Sequence, residues 1–231
     1  MNTQQVIDLL KSNKNERGIT HWNKLTNTTL LSFGIGLTVL RKIAKQIGRD
    51  AQLAKQLWES KYYDAKVISL LIDDPKTITI EQAQKQVEQL EAGYLAHVFS
   101  SCDATLAKSK IVQQLIALWT VSENNIRQRC GYGLLYELSK SKKKNTPNDE
   151  YFFSHIKTIE ETYNNANKQL LLAMGSAIQG IGHRNINLHT PALALAKKIG
   201  PINFNEPGQT CEPYDVVKNL TSDYINKKFN L

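Results

Sequence analysis

Cysteine is scarce in this chain. The three that occur, Cys102, Cys130 and Cys211, are far apart and odd in number, which argues against a disulfide framework and for a reducing cytoplasm. Long apolar runs are absent: none approaches the ~20 residues of a membrane helix. The first residues, Met1-Asn2-Thr3-Gln4-Gln5, are polar where a secretory leader is basic and then apolar. The histidines His21, His97, His155, His183 and His189 show no metal spacing with the cysteines, so neither zinc nor another metal is expected. No Gly-rich phosphate loop, nucleophile elbow or Cys-x-x-Cys occurs, and no cofactor is expected. Asp73-Asp74 precedes Pro75 and reads as a turn, not a catalytic pair. Sustained period-two alternation is missing, as are Asn-Gly and Asp-Gly hairpin signals, so a sheet is not expected.

What the chain has is positive charge and helical periodicity. Twenty-nine Lys and Arg against 21 Asp and Glu leave a net charge of +8. That balance favours anionic partners: nucleic acid, an acidic protein or a membrane surface. Leu40, Ile43, Ala44 and Ile47 fall at i, i+3, i+4, i+7, which builds one apolar stripe. Ile111, Val112, Leu115, Leu118 and Trp119 repeat the pattern, as do Leu170, Ala173, Met174, Ala177, Ile178 and Ile181. Trp22, Trp58 and Trp119 fall at or near such apolar positions and are expected in the core.

Helix ends are marked too. Thr79 and Gln82 have capping-box spacing. Thr146-Pro147 and Thr190-Pro191 each place an N-cap before a first-turn proline. Gly48 follows Ala44-Lys45-Gln46-Ile47 and Gly200 follows Ala196-Lys197-Lys198-Ile199, two near-copies that end a helix on a glycine. Residues 139–148 form a lysine-rich loop, residues 200–213 an irregular stretch, and Val216 to Lys228 a last short helix. The pattern predicts an all-α fold of about ten to thirteen helices. Antiparallel pairs every ~35–45 residues match the HEAT-like period. Residues 1–231 are expected to form one repeat domain with a short C-terminal extension from about residue 201.

Four segments in order carry a resemblance to a known family. They are Leu40 to Lys45 running on to Trp58-Glu59-Ser60, then Leu71-Ile72-Asp73-Asp74-Pro75, then Arg129-Cys130-Gly131-Tyr132-Gly133-Leu134, then Gly182-His183-Arg184-Asn185. The chain resembles the AlkD-like DNA alkylation repair proteins from about Phe33 to Gly200. The resemblance implies a HEAT-like solenoid, an α-α superhelix whose basic concave face holds duplex DNA. It also implies a hydrolase that removes positively charged alkylated purines without a metal.

The resemblance further implies two tryptophans, one aspartate and one arginine at the site. The carboxylate offsets positive charge on the deoxyribose as the glycosidic bond breaks, and the arginine grips a phosphate. Here the arginine matches Arg129. An ungapped placement puts the tryptophans on Leu95 and Ser176 and the aspartate on Phe99. Phe99 and Asp103 keep the aromatic-x-x-x-Asp spacing one turn later, so a slipped helix presents Asp103 as the catalytic carboxylate; Tyr94 is a separate candidate for an aromatic face. Arg41, Lys42, Lys45 and Arg184 join Arg129 as expected DNA-binding residues. The resulting expectation is a cytoplasmic, monomeric protein that binds duplex DNA, alkylated or not, away from membranes, with base excision weak or lost. The competing reading is a HEAT-like scaffold for an acidic protein. Lys142, Lys143 and Lys144 read as a solvated loop.

Overall fold

The computed structural model describes residues 1–25, 28–90, 94–102, 104–204 and 210–231. Among them are fourteen α-helices, two single 3-10 turns and no strand. Only two isolated β-bridges occur, Leu31 with Tyr62 and Ile202 with Tyr214. The chain divides into two compact units, Met1–Val112 and Gln113–Leu231. Among the described residues no helix is long and apolar enough to cross a membrane.

The first unit holds α1 (Thr3–Ser12), α2 (Glu16–Trp22), α3 (Leu37–Ile47), α4 (Ala51–Trp58), α5 (Tyr63–Ile72), α6 (Ile80–Val87) and α7 (Leu95–Ser100). A 3-10 turn, Leu106–Lys108, follows. Its centre is α5, buried nearly all round, against which α1, α3, α4 and α7 pack. A helix buried on all sides must satisfy its polar residues internally. Asp64 does so by accepting the Ser32 hydroxyl at 2.9 Å and the Phe33 and Ile35 amides at 2.8 and 3.1 Å. Burial pushes its carboxyl up, against the pull of those donors. The three bonds clamp residues 32–35 onto α5, and Phe33 in turn accepts from the Asn15 amide at 2.9 Å. Gly34 (φ 69°) then runs against Gly18 backbone to backbone.

The second unit begins within α8 (Val112–Trp119) and continues with α9 (Asn125–Ser139), α10 (Asp149–Thr162), a 3-10 turn at Tyr163–Asn165, α11 (Lys168–Gly182) and α12 (Ile186–Ile199). It ends with α13 (Val216–Leu220) and α14 (Asp223–Phe229). The hub is α11, which packs on α9, α10, α12 and α13.

Several expected boundaries moved for local reasons. Thr79 does accept the Gln82 amide at 3.1 Å, but the Gln82 side chain turns away to Asp73 at 2.7 Å, so half of the box forms. Asn148 and Asn185, not Thr146 and Thr190, cap α10 and α12 by accepting from the Tyr151 and Leu188 amides. Asparagine caps as well as or better than threonine. Pro191 therefore lies inside α12, where it forgoes one backbone bond. Gly48 and Gly200 do end α3 and α12 at positive φ, 80° and 70°. Their ψ values of −166° and −172° are extended, a combination open almost solely to glycine. The last helix is two, α13 and α14, broken at Ser222.

The Gly18–Gly34 contact generates a test. A Cβ on Gly34 would lie 2.3 Å from the Ile19 nitrogen and 2.5 Å from the Asn15 oxygen, at a φ that side chains avoid. Gly34→Ala is expected to cost about 2–4 kcal/mol in denaturant unfolding. Gly36→Ala, whose Cβ meets nothing within 4 Å, is the matched control and should cost under about 1 kcal/mol.

Candidate nucleic-acid interface

The basic face of α3 follows from its apolar one. Leu40, Ile43 and Ala44 are buried, which turns Arg41, Lys42 and Lys45 to solvent. Lys42 and Lys45 have no side-chain hydrogen bond or ion pair among the described residues. Arg41 and Lys45 line a cleft of about 510 Å³ together with Arg49 and Lys108, and Lys42 stands outside it.

The α7 segment is different. Leu95 and Phe99 are 0% and 2% exposed, locked in the core of the first unit. Neither position faces solvent, so a substrate-facing Trp and Asp have no counterpart there. Tyr94, at the N-cap of α7, is 63% exposed, and its amide donates to the Tyr63 hydroxyl at 3.1 Å. Asp103 lies outside the described residues.

In the second unit, α9 packs inward through Cys130, Gly131, Leu134 and Leu138. Arg129 sits at the edge of that face, half-buried. Burial pulls its pKa down from the ordinary arginine value, yet the side chain stays protonated. Among the described residues its guanidinium has no hydrogen-bond or ion-pair partner. Arg129, Gly133, Tyr136 and Lys140 form one stripe at i, i+4, i+7 and i+11. Lys140 lies 4.5 Å over the Tyr136 ring and pairs with Glu137 at 2.7 Å.

Across from this stripe runs α11. Gly180 permits the approach: a Cβ there would sit 2.2 Å from the Ser139 Oγ and 2.8 Å from the Tyr136 ring. Ser176 donates to the Leu172 carbonyl at 2.9 Å and so spends its hydroxyl within α11. Beside it stands Tyr214, delivered by the C-terminal segment through paired backbone bonds with Ile202, both 2.9 Å. The Tyr214 hydroxyl donates to Gln179 and lies within hydrogen-bonding reach of Ser176. Burial pushes this phenol up to about 12. Gly175 makes room for the segment, since a Cβ there would meet Ile202, Tyr214 and Val216 at 2.9–3.2 Å.

Arg184 is occupied. Its Nη1 donates to the Ser139 and Ser141 carbonyls at 2.6 and 3.3 Å, and the guanidinium lies 4.2 Å over the Phe152 ring. The next residue, Asn185, donates to both oxygens of Asp149 at 3.0 Å. The Gly182-His183-Arg184-Asn185 turn therefore holds the end of α9 and the start of α10 on either side of the lysine loop. Lys142, Lys143 and Lys144 project from that loop, fully exposed.

The structure thus brings Arg41 and Lys45 together in the first unit and aligns Arg129 with Tyr136 in the second. Arg49, Lys108, Tyr136 and Tyr214 were not legible as site residues. Tyr136 carried a signal, its seven-residue spacing from Arg129. Tyr214 carried none, because only docking of the C-terminal segment brings it to α11.

A fold of paired helices, with surface cations that have no partner among the described residues, defines a helical-repeat protein with basic surface clusters. The chain belongs to the family of DNA alkylation repair enzymes, which matches residues 6–201. Among its relatives is an uncharacterized protein of Listeria innocua, 25% identical over 207 residues, covering 86% of this chain and 84% of that one. Another is an uncharacterized protein of Listeria monocytogenes, 26% identical over 207 residues with the same coverage. A solved structure superposes with a TM-score of 0.82 at 18% identity, over 100% of this chain and 97% of that one. It is described as a new family of proteins related to the HEAT-like repeat DNA glycosylases with affinity for branched DNA structures. That likeness establishes the HEAT-like repeat fold. The family match stops at residue 201, so Tyr214 and the last two helices lie beyond it.

The bonds of Arg184 predict a stability role. Arg184→Ala removes the donor to two carbonyls and the cation over Phe152. It should cost about 1–3 kcal/mol and lower the thermal midpoint by several degrees, read by circular dichroism.

Proposed function

We propose that this chain is a DNA-binding member of its family in which base excision is weak or lost. The observation that carries the reading is Arg129, a half-buried guanidinium without a partner among the described residues. A cation held partly out of water gains most from an anion that meets it there. A DNA phosphate supplies that charge. Lys42, Lys45 and the lysine loop add sequence-independent attraction. Arg184 contributes indirectly, by holding the loop. Duplex DNA is the first ligand, and the character of the structural neighbour makes branched DNA the second. The protein acts as a cytoplasmic monomer in this reading and uses no metal or cofactor.

The core of the first unit supports the loss of excision. Leu95 and Phe99 supply no carboxylate and no surface, and Ser176 supplies no aromatic face. Without a group to offset the oxocarbenium charge, the rate falls by roughly 10²–10³.

Fluorescence anisotropy with duplex and three-way-junction DNA tests the binding. Affinity is expected to fall steeply between ~50 and ~200 mM salt, and Arg129→Ala should weaken binding and flatten the salt slope by about one. If the wild type ignores DNA at low salt, the scaffold for an acidic protein becomes the better account.

Release of 7-methylguanine and 3-methyladenine from methylated duplex tests the chemistry. Little or none is expected. Robust release that Asp103→Asn abolishes would establish Asp103 as the catalytic carboxylate and refute the impaired-site reading.

A further inference from the structure

The cleft in the first unit has a composition that packing does not require. Four stretches of chain line it: α3 with Arg41, Ala44 and Lys45, then Gly48 and Arg49, the end of α5 with Leu71, and lastly Cys102, Thr105 and Lys108. The described residues that line it carry four cations and no carboxylate. Lys45 alone would be explained by the negative end of α3. Arg49 is drawn there by its bonds to the Leu71 and Asp73 carbonyls, but among the described residues no side-chain bond draws Lys108 to the same place. Like charges around a concave wall repel one another and focus a positive field into the cleft.

Two donors are already held in place. Arg49 uses Nη1 for all its bonds among the described residues, to the carbonyls of Leu71 and Asp73 at 3.0 and 2.7 Å and to the Thr105 hydroxyl at 2.7 Å. Those bonds fix the guanidinium, and its other nitrogens have no partner among the described residues. Thr105 is buried and accepts from Arg49, and its own proton has no acceptor among the described residues. Arg41 is steadied by a hydrogen bond to the Cys102 sulfur, which lines the same cleft. Ala44 and Leu71 add an apolar wall. About 510 Å³ falls in the roughly 300–1,000 Å³ range of small-ligand sites, more than a phosphate alone needs.

We infer that this cleft is a subsite for one nucleotide of the bound DNA, its phosphate among Arg41, Lys45, Arg49 and Lys108 and its sugar against Ala44 and Leu71. The inference rests on the DNA-binding reading above. A bidentate arginine and a fixed hydroxyl suit a tetrahedral oxyanion, and lysines at the rim add charge without demanding geometry. The source of that phosphate is either a nucleotide within a strand or a free one, and the two separate experimentally.

Isothermal titration of the full chain with deoxyadenosine 5′-monophosphate, deoxyadenosine and inorganic phosphate is the first arm, at constant ionic strength. The second arm is displacement of a fluorescent duplex by the monophosphate. The monophosphate is expected to bind, deoxyadenosine not to, and inorganic phosphate to bind more weakly. The double variant Lys45→Ser/Lys108→Ser, altered at two exposed positions, should lose roughly tenfold or more in affinity for the monophosphate. The monophosphate should displace duplex from the wild type. If the wild type binds duplex but not the monophosphate, the subsite is refuted and the DNA reading stands. Binding of the monophosphate without displacement makes the cleft a free-nucleotide site and overturns its place in DNA recognition. Inorganic phosphate binding equally well removes the sugar contact. A duplex that fails to bind at low salt overturns the DNA reading, and the DNA subsite with it, whatever the monophosphate does.

Discussion

The second unit depends on how closely α9 approaches α11. Gly180 makes that approach possible, because any side chain there would occupy the space of Ser139 and Tyr136. Close packing of the two longest helices in the unit places the edge of α9 beside the surface of α11. Arg129 is half-buried because of that edge position. The same helix receives the C-terminal segment on its other side, through the gap left by Gly175. Two glycines on one helix thus arrange two tyrosines and a docked tail. Interiors this tightly packed transmit a one-methyl change directly, so neither position is free to drift.

The first unit solves the opposite problem. Its central helix α5 is surrounded, and the polar groups along it must be answered from within. Asp64 gathers the backbone of residues 32–35, and Ser69 donates to the Ala54 carbonyl at 2.7 Å. Arg49 closes the end of α5 by donating to the Leu71 and Asp73 carbonyls. Satisfying the carbonyls at that helix end brings a guanidinium to the mouth of the cationic cleft. A structural bond and a candidate ligand contact share one side chain, which is economical because the bond removes the entropy a free arginine would lose on binding.

Unpartnered cations are the common thread between the units. Surface ion pairs contribute little to stability, so their absence costs the fold little. It matters for partners instead. A lysine or arginine already paired must break that pair to meet a phosphate, whereas Lys42, Lys45 and Arg129 have no pair to break among the described residues. Where charge is spent internally, as in Arg184 on the Ser139 and Ser141 carbonyls, the residue shapes the surface rather than contacting a ligand. Type and position along the chain did not separate Arg184 from Arg129. Their environments do.

The sequence by itself determined the helices, because a 3.6-residue apolar period is a local property of the chain. It also carried the family, through four short segments whose order survives divergence, and it marked α3 as a helix with one basic face. Helix starts at Asn148 and Asn185 were misplaced onto Thr146 and Thr190, since asparagine competes for the same cap a few residues away. Tertiary structure alone decided which side chains meet. Leu95 and Phe99 went to the core, Arg49 and Lys108 met Arg41 and Lys45, and Tyr214 came to rest beside Ser176. Those encounters join residues tens of positions apart, through backbone bonds and glycine-width gaps that leave no periodic trace in the chain.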